Sequence, residues 1–192
     1  MKTHTLVSIS LFGVLYLFSL LYPQLPNMDG LRLVLVCLCF VVAMEFGNPK
    51  SAFLTLCADY FILFTPYYAI GILLFGFVHI LYLEHLLQKQ FSYLYWILPF
   101  CTLLPLTVFG LLYGILFSIH IFYATKKAPT FGYLLALILF AFGDILVGVG
   151  YFTITKPAWI WLFYAPSQML LALTAKGLPL LQWFYPLHPT KD

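Results

Sequence analysis

Charge is scarce in this sequence. Nine basic and six acidic residues are spread over 192 positions, 8% of the chain, where ordinary soluble domains carry roughly 25%. A soluble domain of this length needs a polar surface, and so few charges cannot clothe one. Clustered basic residues are lacking too: the net charge of +3 comes from Lys and Arg standing mostly singly between apolar runs. That argues against nucleic-acid binding, which needs a basic face. No small-x-small cleavage site separates the apolar stretch after Met1-Lys2 from Pro23, so this stretch is expected to be a first helix and not a leader. The four cysteines, Cys37, Cys39, Cys57 and Cys101, all fall in apolar runs. Cys37 and Cys39 project about 200° apart on a helix and cannot grip one metal, so all four are expected to be small buried hydrophobes. No His-x3-His or similar chelating pair occurs, and neither metal nor cofactor is expected.

What the chain has in abundance is apolar sequence, 64% of its residues, recurring from end to end. The solvent for most of it is therefore expected to be lipid. Charges, Pro and Gly mark the boundaries of eight helices at 5–22, 31–46, 51–65, 68–84, 91–104, 107–124, 131–154 and 157–175. Several are shorter than the ~20 residues of a typical span, which implies little tilt or a thin bilayer. The charge-free stretch 91–124 would make a single helix of about 51 Å, far beyond a hydrocarbon core of ~30 Å. Pro105 offers the break. With eight spans and a cytoplasmic N-terminus, Lys2, Lys50, Lys89, Lys126, Lys127, Lys176 and Lys191 lie inside, and only Arg32 and Lys156 lie outside. With seven spans, Lys126, Lys127, Lys176, Lys191 and Arg32 all fall outside. The positive-inside rule favours eight, with both termini cytoplasmic and one transmembrane helical domain over 1–192. The tail after Lys176, with Trp183, Phe184 and Tyr185, reads as an interfacial segment. A weak parallel repeat of two four-helix halves pairs Leu56-Cys57-Ala58-Asp59 with Phe140-Ala141-Phe142-Gly143-Asp144, and Phe75-x3-His79 with Tyr164-x3-Gln168.

Asp29, Glu45, Glu84 and Asp192 lie at span ends or in the tail, but Asp59 and Asp144 fall near mid-span. An ionised carboxylate at a helix centre costs about 2.5–3.5 kcal/mol on insertion scales, so such groups face a bundle interior or a wet cavity and mark function. The alternative is a protonated Asp that only stitches helices together. Ser51, Thr55 and Asp59 form one stripe at i, i+4 and i+8. Asp144, Gly148 and Tyr151 share a face on the seventh helix, where Gly143 and Gly150 permit close packing. His79 with Tyr82, and Trp161 with Tyr164 and Gln168, do likewise on the fourth and eighth helices. Four helices thus present polar groups at similar depth. His120 has no such company in sequence and reads as structural. Many of the aromatics, among them Tyr22, Tyr67, Tyr68, Tyr93 and Trp159, suit interfacial belts.

With these motifs the chain resembles the lysoplasmalogenase family, the YhhN-like multi-pass membrane hydrolases. The resemblance rests on Leu56-Cys57-Ala58-Asp59, Tyr68-Ala69-Ile70-Gly71 running on to Val78-His79-Ile80-Leu81-Tyr82, Leu139-Phe140-Ala141-Phe142-Gly143-Asp144, and Tyr164-Ala165-Pro166-Ser167-Gln168. It covers about residues 31–175. Where the family begins its second helix with Lys-Pro-Leu, this chain has Arg32-Leu33, which keeps the charge without the proline. The resemblance implies an ether hydrolase that cleaves the vinyl-ether bond of lysoplasmalogens to a fatty aldehyde and glycerophosphoethanolamine or glycerophosphocholine. It implies Asp59, Asp144 and His79 as catalytic residues, and Tyr82, Tyr164, Gln168 and Arg32 as substrate-binding. The expected partners are a lysophospholipid substrate and membrane lipids, in the cell membrane (the inner one in a bacterium).

That chemistry suits the residue types. A vinyl ether is protonated at carbon, the oxocarbenium ion captures water, and the hemiacetal collapses. An acid, a nearby negative charge and a base for the water are required, a demand that glycosidases meet with two carboxyls of unequal pKa. Asp59 and Asp144 fit this division, with either as the acid, and His79 would orient or activate water. Two rival expectations are a proton-coupled transporter, since intramembrane Asp and His also mark proton relays, and a non-enzymatic scaffold.

Overall fold

The computed structural model describes residues 2–24, 26–153 (151–153 as backbone) and 159–175. The expected interfacial tail, Lys156 and the Tyr151 side chain lie outside the described residues. Among those described, the fold is entirely helical: α1 Thr3–Leu21, α2 Met28–Phe46, α3 Pro49–Phe64, α4 Tyr68–Leu87, α5 Ser92–Cys101, α6 Leu106–Lys127, α7 Phe131–Thr153 and α8 Ile160–Thr174. Among the described residues, four helical stretches, Thr3–Leu21, Tyr68–Leu87, Leu106–Lys127 and Phe131–Gly150, are long and apolar enough to cross a membrane. α5 has ten residues, about 15 Å, roughly half a hydrocarbon core.

The boundaries have local causes. Pro49 opens α3, where its missing N–H would find no partner in any case. Thr65, which precedes Pro66, is disfavoured from helix, and α3 ends at Phe64. α4 stops with Gln88 in the left-handed region at φ 51°. The Lys89 N–H then donates back to the Glu84 carbonyl at 3.3 Å, satisfying an end carbonyl of the helix. Pro105 caps α6, and the Thr130 hydroxyl accepts the Tyr133 N–H at 3.1 Å to start α7. Lys126 and Lys127 close α6, where cations complement the helix dipole.

The helices form two compact units, one of residues 1–48 and 129–192, the other of residues 49–128. These are not the sequence halves of the weak repeat. In the first unit α1 packs on α2, α2 on α8, and α7 on α8. Its core includes Leu35, Val42, Ala136, Leu137 and Phe140. A Cβ on Gly47 would lie 2.6 Å from the Ala172 carbonyl oxygen, so α2 and α8 meet there only because no side chain intervenes. Pro166 sits inside α8 and offers no N–H to the Leu162 carbonyl four residues back. The Tyr16 hydroxyl of α1 donates to that carbonyl instead, at 2.9 Å.

In the second unit α3 packs on α4, and α4 also on α5 and α6. Val78, Ile80, Leu83, Phe109 and Ala124 form its core. Glu84 ties α4 to α5 by accepting the Phe91 N–H at 2.7 Å and the Tyr95 hydroxyl at 2.9 Å. Outward faces are apolar too: Leu21, Trp96, Leu111 and Ile145 are all exposed, as suits helices solvated by lipid.

Candidate functional site

In the second unit, the stripe expected on α3 is buried throughout, with Ser51, Thr55 and Asp59 at 0, 3 and 4% exposure. A three-residue connection joins α3 to α4, which makes the pair antiparallel. Gly71 marks the register, because a Cβ there would lie 2.5 Å from Ile62 Cγ1 and 3.1 Å from the Ala58 carbonyl oxygen. Two turns further along α4, the helical rise carries His79 towards the start of α3, so Asp59 and His79 are offset by roughly 10 Å along the helix axis. The Ser51–Thr55–Asp59 stripe runs between those two levels.

His79 is fully buried, and both of its ring nitrogens are engaged. Its Nδ1 lies 3.0 Å from Nδ1 of His120, and its Nε2 lies 3.1 Å from the Tyr113 hydroxyl. The ring stacks on Phe117 at 4.3 Å between centroids, which holds its plane. His120 is also fully buried and stacks on Tyr82 at 5.8 Å. Only one proton fits between two Nδ1 atoms, so the contact requires one ring to donate and the other to accept. The expectation that His120 has no company is therefore corrected: α6 brings it onto His79. Tyr113, which the sequence did not single out, is half-buried and is the most accessible member of the chain Tyr113–His79–His120.

In the first unit, Asp144 is half-buried on α7. Gly143 lies against Tyr164 of α8, where an added Cβ would meet Tyr164 Cβ at an ordinary 3.5 Å. Tyr164 packs edge-on against both Phe140 and Trp161. The Arg32 guanidinium lies 5.3 Å from the Trp161 ring centroid, a cation–π arrangement, and donates to Asp29 at 2.7 Å. Arg32 Nε and Gln168 Nε2 are both buried without a hydrogen-bond partner. Buried donors are normally satisfied, and an orphan calls for an acceptor from elsewhere.

The seven expected site residues thus divide: Asp59, His79 and Tyr82 belong to the second unit, and Arg32, Asp144, Tyr164 and Gln168 to the first. Among the described residues, no three His, Cys, Asp or Glu side chains gather as a metal-holding group. Comparison of the chain with protein-family models, curated proteins and solved structures finds no match in any of the three.

Proposed function

We propose that this chain is a multi-pass integral membrane hydrolase that cleaves the vinyl-ether bond of lysoplasmalogens, releasing a fatty aldehyde and glycerophosphoethanolamine or glycerophosphocholine. The observation that carries the reading is the ordered set of four motifs around Asp59, His79, Asp144 and Gln168, which place carboxyls within apolar helices. Asp59 and Asp144 act as the catalytic carboxyls, one protonating the vinyl carbon and the other, ionised, stabilising the oxocarbenium ion. His79 belongs to the apparatus that handles the water proton. Tyr82 and Tyr164 contribute to substrate binding. Arg32 and Gln168 supply buried donors without acceptors, which suit the phosphate of a lysophospholipid. All eight helices cross the membrane with both termini in the cytoplasm, α5 in a locally thin bilayer.

The test is aldehyde release from a lysoplasmalogen by monodisperse protein in detergent, with and without chelator. Turnover that survives chelation supports the reading, and no turnover defeats it. A proton-coupled transporter is the second reading, favoured by the hydrogen-bonded His79–His120 pair. Transport needs two compartments and hydrolysis does not, so activity in detergent separates them.

A further inference from the structure

With both ring nitrogens occupied and no surface exposed, His79 cannot itself meet a substrate or a reacting water. Its Nε2 lies 3.1 Å from the Tyr113 hydroxyl, and its Nδ1 is held at 3.0 Å by His120. Hydroxyl, base and orienting group stand in series, the arrangement by which a buried imidazole activates a hydroxyl in front of it. Both imidazole rings are fixed by packing: Phe117 lies under His79 and Tyr82 under His120. Tyr113 alone is only half-buried.

From this geometry we infer that Tyr113 is a catalytic residue, the group that takes the proton from the attacking water, with His79 as its proton acceptor and His120 as the positioning residue behind. The inference rests on the hydrolase reading for the use to which the proton is put. In the resting chain, Tyr113 O–H donates to His79 Nε2, His79 Nδ1–H donates to His120 Nδ1, and His120 carries its proton on Nε2. No member is charged. When water oxygen bonds to the oxocarbenium carbon, one water proton passes to the Tyr113 oxygen. The Tyr113 proton passes to His79 Nε2 as the carbon cation becomes a neutral hemiacetal. The imidazolium so formed keeps its Nδ1–H bond to His120. Its extra proton passes through Tyr113 to the glycerol oxygen as the hemiacetal C–O bond breaks, while the hemiacetal hydroxyl gives its proton to the carboxylate left by the first step, which forms the aldehyde and restores the acid.

The test uses full-length protein in detergent with three variants, Tyr113→Phe, His120→Asn and His120→Leu. Tyr113→Phe removes one oxygen and is expected to lower kcat by ~10²–10⁴-fold with KM nearly unchanged. Asn at 120 keeps an acceptor near the Nδ1 position and retains most of the rate, whereas Leu loses about 100-fold. A merely structural role for His120 would instead move thermal stability and leave the rate per folded molecule alone. Ring-¹⁵N histidine NMR supplies a readout that needs no turnover: residues 79 and 120 should be opposite tautomers, and their ring N–H exchange into D₂O should slow in Tyr113→Phe. Aldehyde release by wild type with undiminished kcat in Tyr113→Phe overturns the inference and leaves the hydrolase reading standing. Absence of aldehyde release by wild type overturns the hydrolase reading and the catalytic use of Tyr113 with it. Two rings in the same tautomer overturn the chain itself.

Discussion

A carboxyl inside an apolar helix is either a working acid or a hydrogen-bonding strut, and Asn distinguishes the two because it keeps the shape and loses the exchangeable proton. Asp59→Asn and Asp144→Asn are each expected to lower aldehyde release by ~10²–10⁴-fold, or roughly 3–5 kcal/mol of barrier, in protein that remains monodisperse. Wild-type rates in both variants would move the chemistry elsewhere. Gln168 offers a complementary case. Its Nε2 is buried without a partner, which costs about 1–3 kcal/mol unless a ligand supplies the acceptor. Gln168→Leu should therefore raise the melting temperature of the free protein and raise KM for lysolipid; a variant less stable than wild type would show that the amide is satisfied internally. At this scale the sequence was only partly legible. Asp59, His79 and Gln168 stand out because polar groups are rare in apolar runs, and all three are buried. Tyr113 did not stand out, because a tyrosine is unremarkable in a chain with 14 of them. The pairing of His120 with His79 was hidden as well, since it depends on how α4 and α6 face each other and not on any spacing within one helix.

Helix positions were far more legible than helix partners. The expected helix starts at 51, 68, 107 and 131 agree with the observed starts at Pro49, Tyr68, Leu106 and Phe131 to within two residues, because Pro and capping residues act locally. Which faces meet was not legible: helices that are apolar all round carry no stripe pointing to a neighbour, and in lipid small residues and lone polar contacts decide. The link between α1 and α8 is such a contact. Pro166 leaves the Leu162 carbonyl without its helical donor, and Tyr16 supplies one at 2.9 Å. Tyr16→Phe is expected to destabilise the protein by about 1 kcal/mol. In a Pro166→Ala background the helix regains its own donor, so the same change should cost much less. Thermal or denaturant unfolding of the four members of this cycle measures the difference. Equal costs in both backgrounds would mean that Tyr16 acts through packing alone.

For the whole molecule, topology turns on α5. Its ten residues reach about 15 Å, and crossing on them requires local thinning of the bilayer or help from the turn that leads to Pro105. If α5 stayed on one side, every later loop would change sides. Lys126, Lys127, Lys176 and Lys191 would then lie outside together with Arg32, against the usual excess of Lys and Arg in the cytoplasm. With α5 crossing, seven of the nine basic residues lie inside. The charge bias applies to short loops near span ends, where Lys89, Lys126 and Lys127 stand, and the mismatch, at fractions of a kcal/mol per ångström, is reduced where the turn that leads to Pro105 shares the crossing. The charge term should prevail. Reporter fusions after Lys89, after Lys127 and at the C-terminus are therefore all expected to register cytoplasm. A cytoplasmic signal after Lys89 with an external one after Lys127 would show that the segment between them crosses only once, and would place the C-terminus outside. Replacing Lys126 and Lys127 with Gln should weaken the bias and yield a mixed population after that loop; an unchanged distribution would assign the orientation to the other loops.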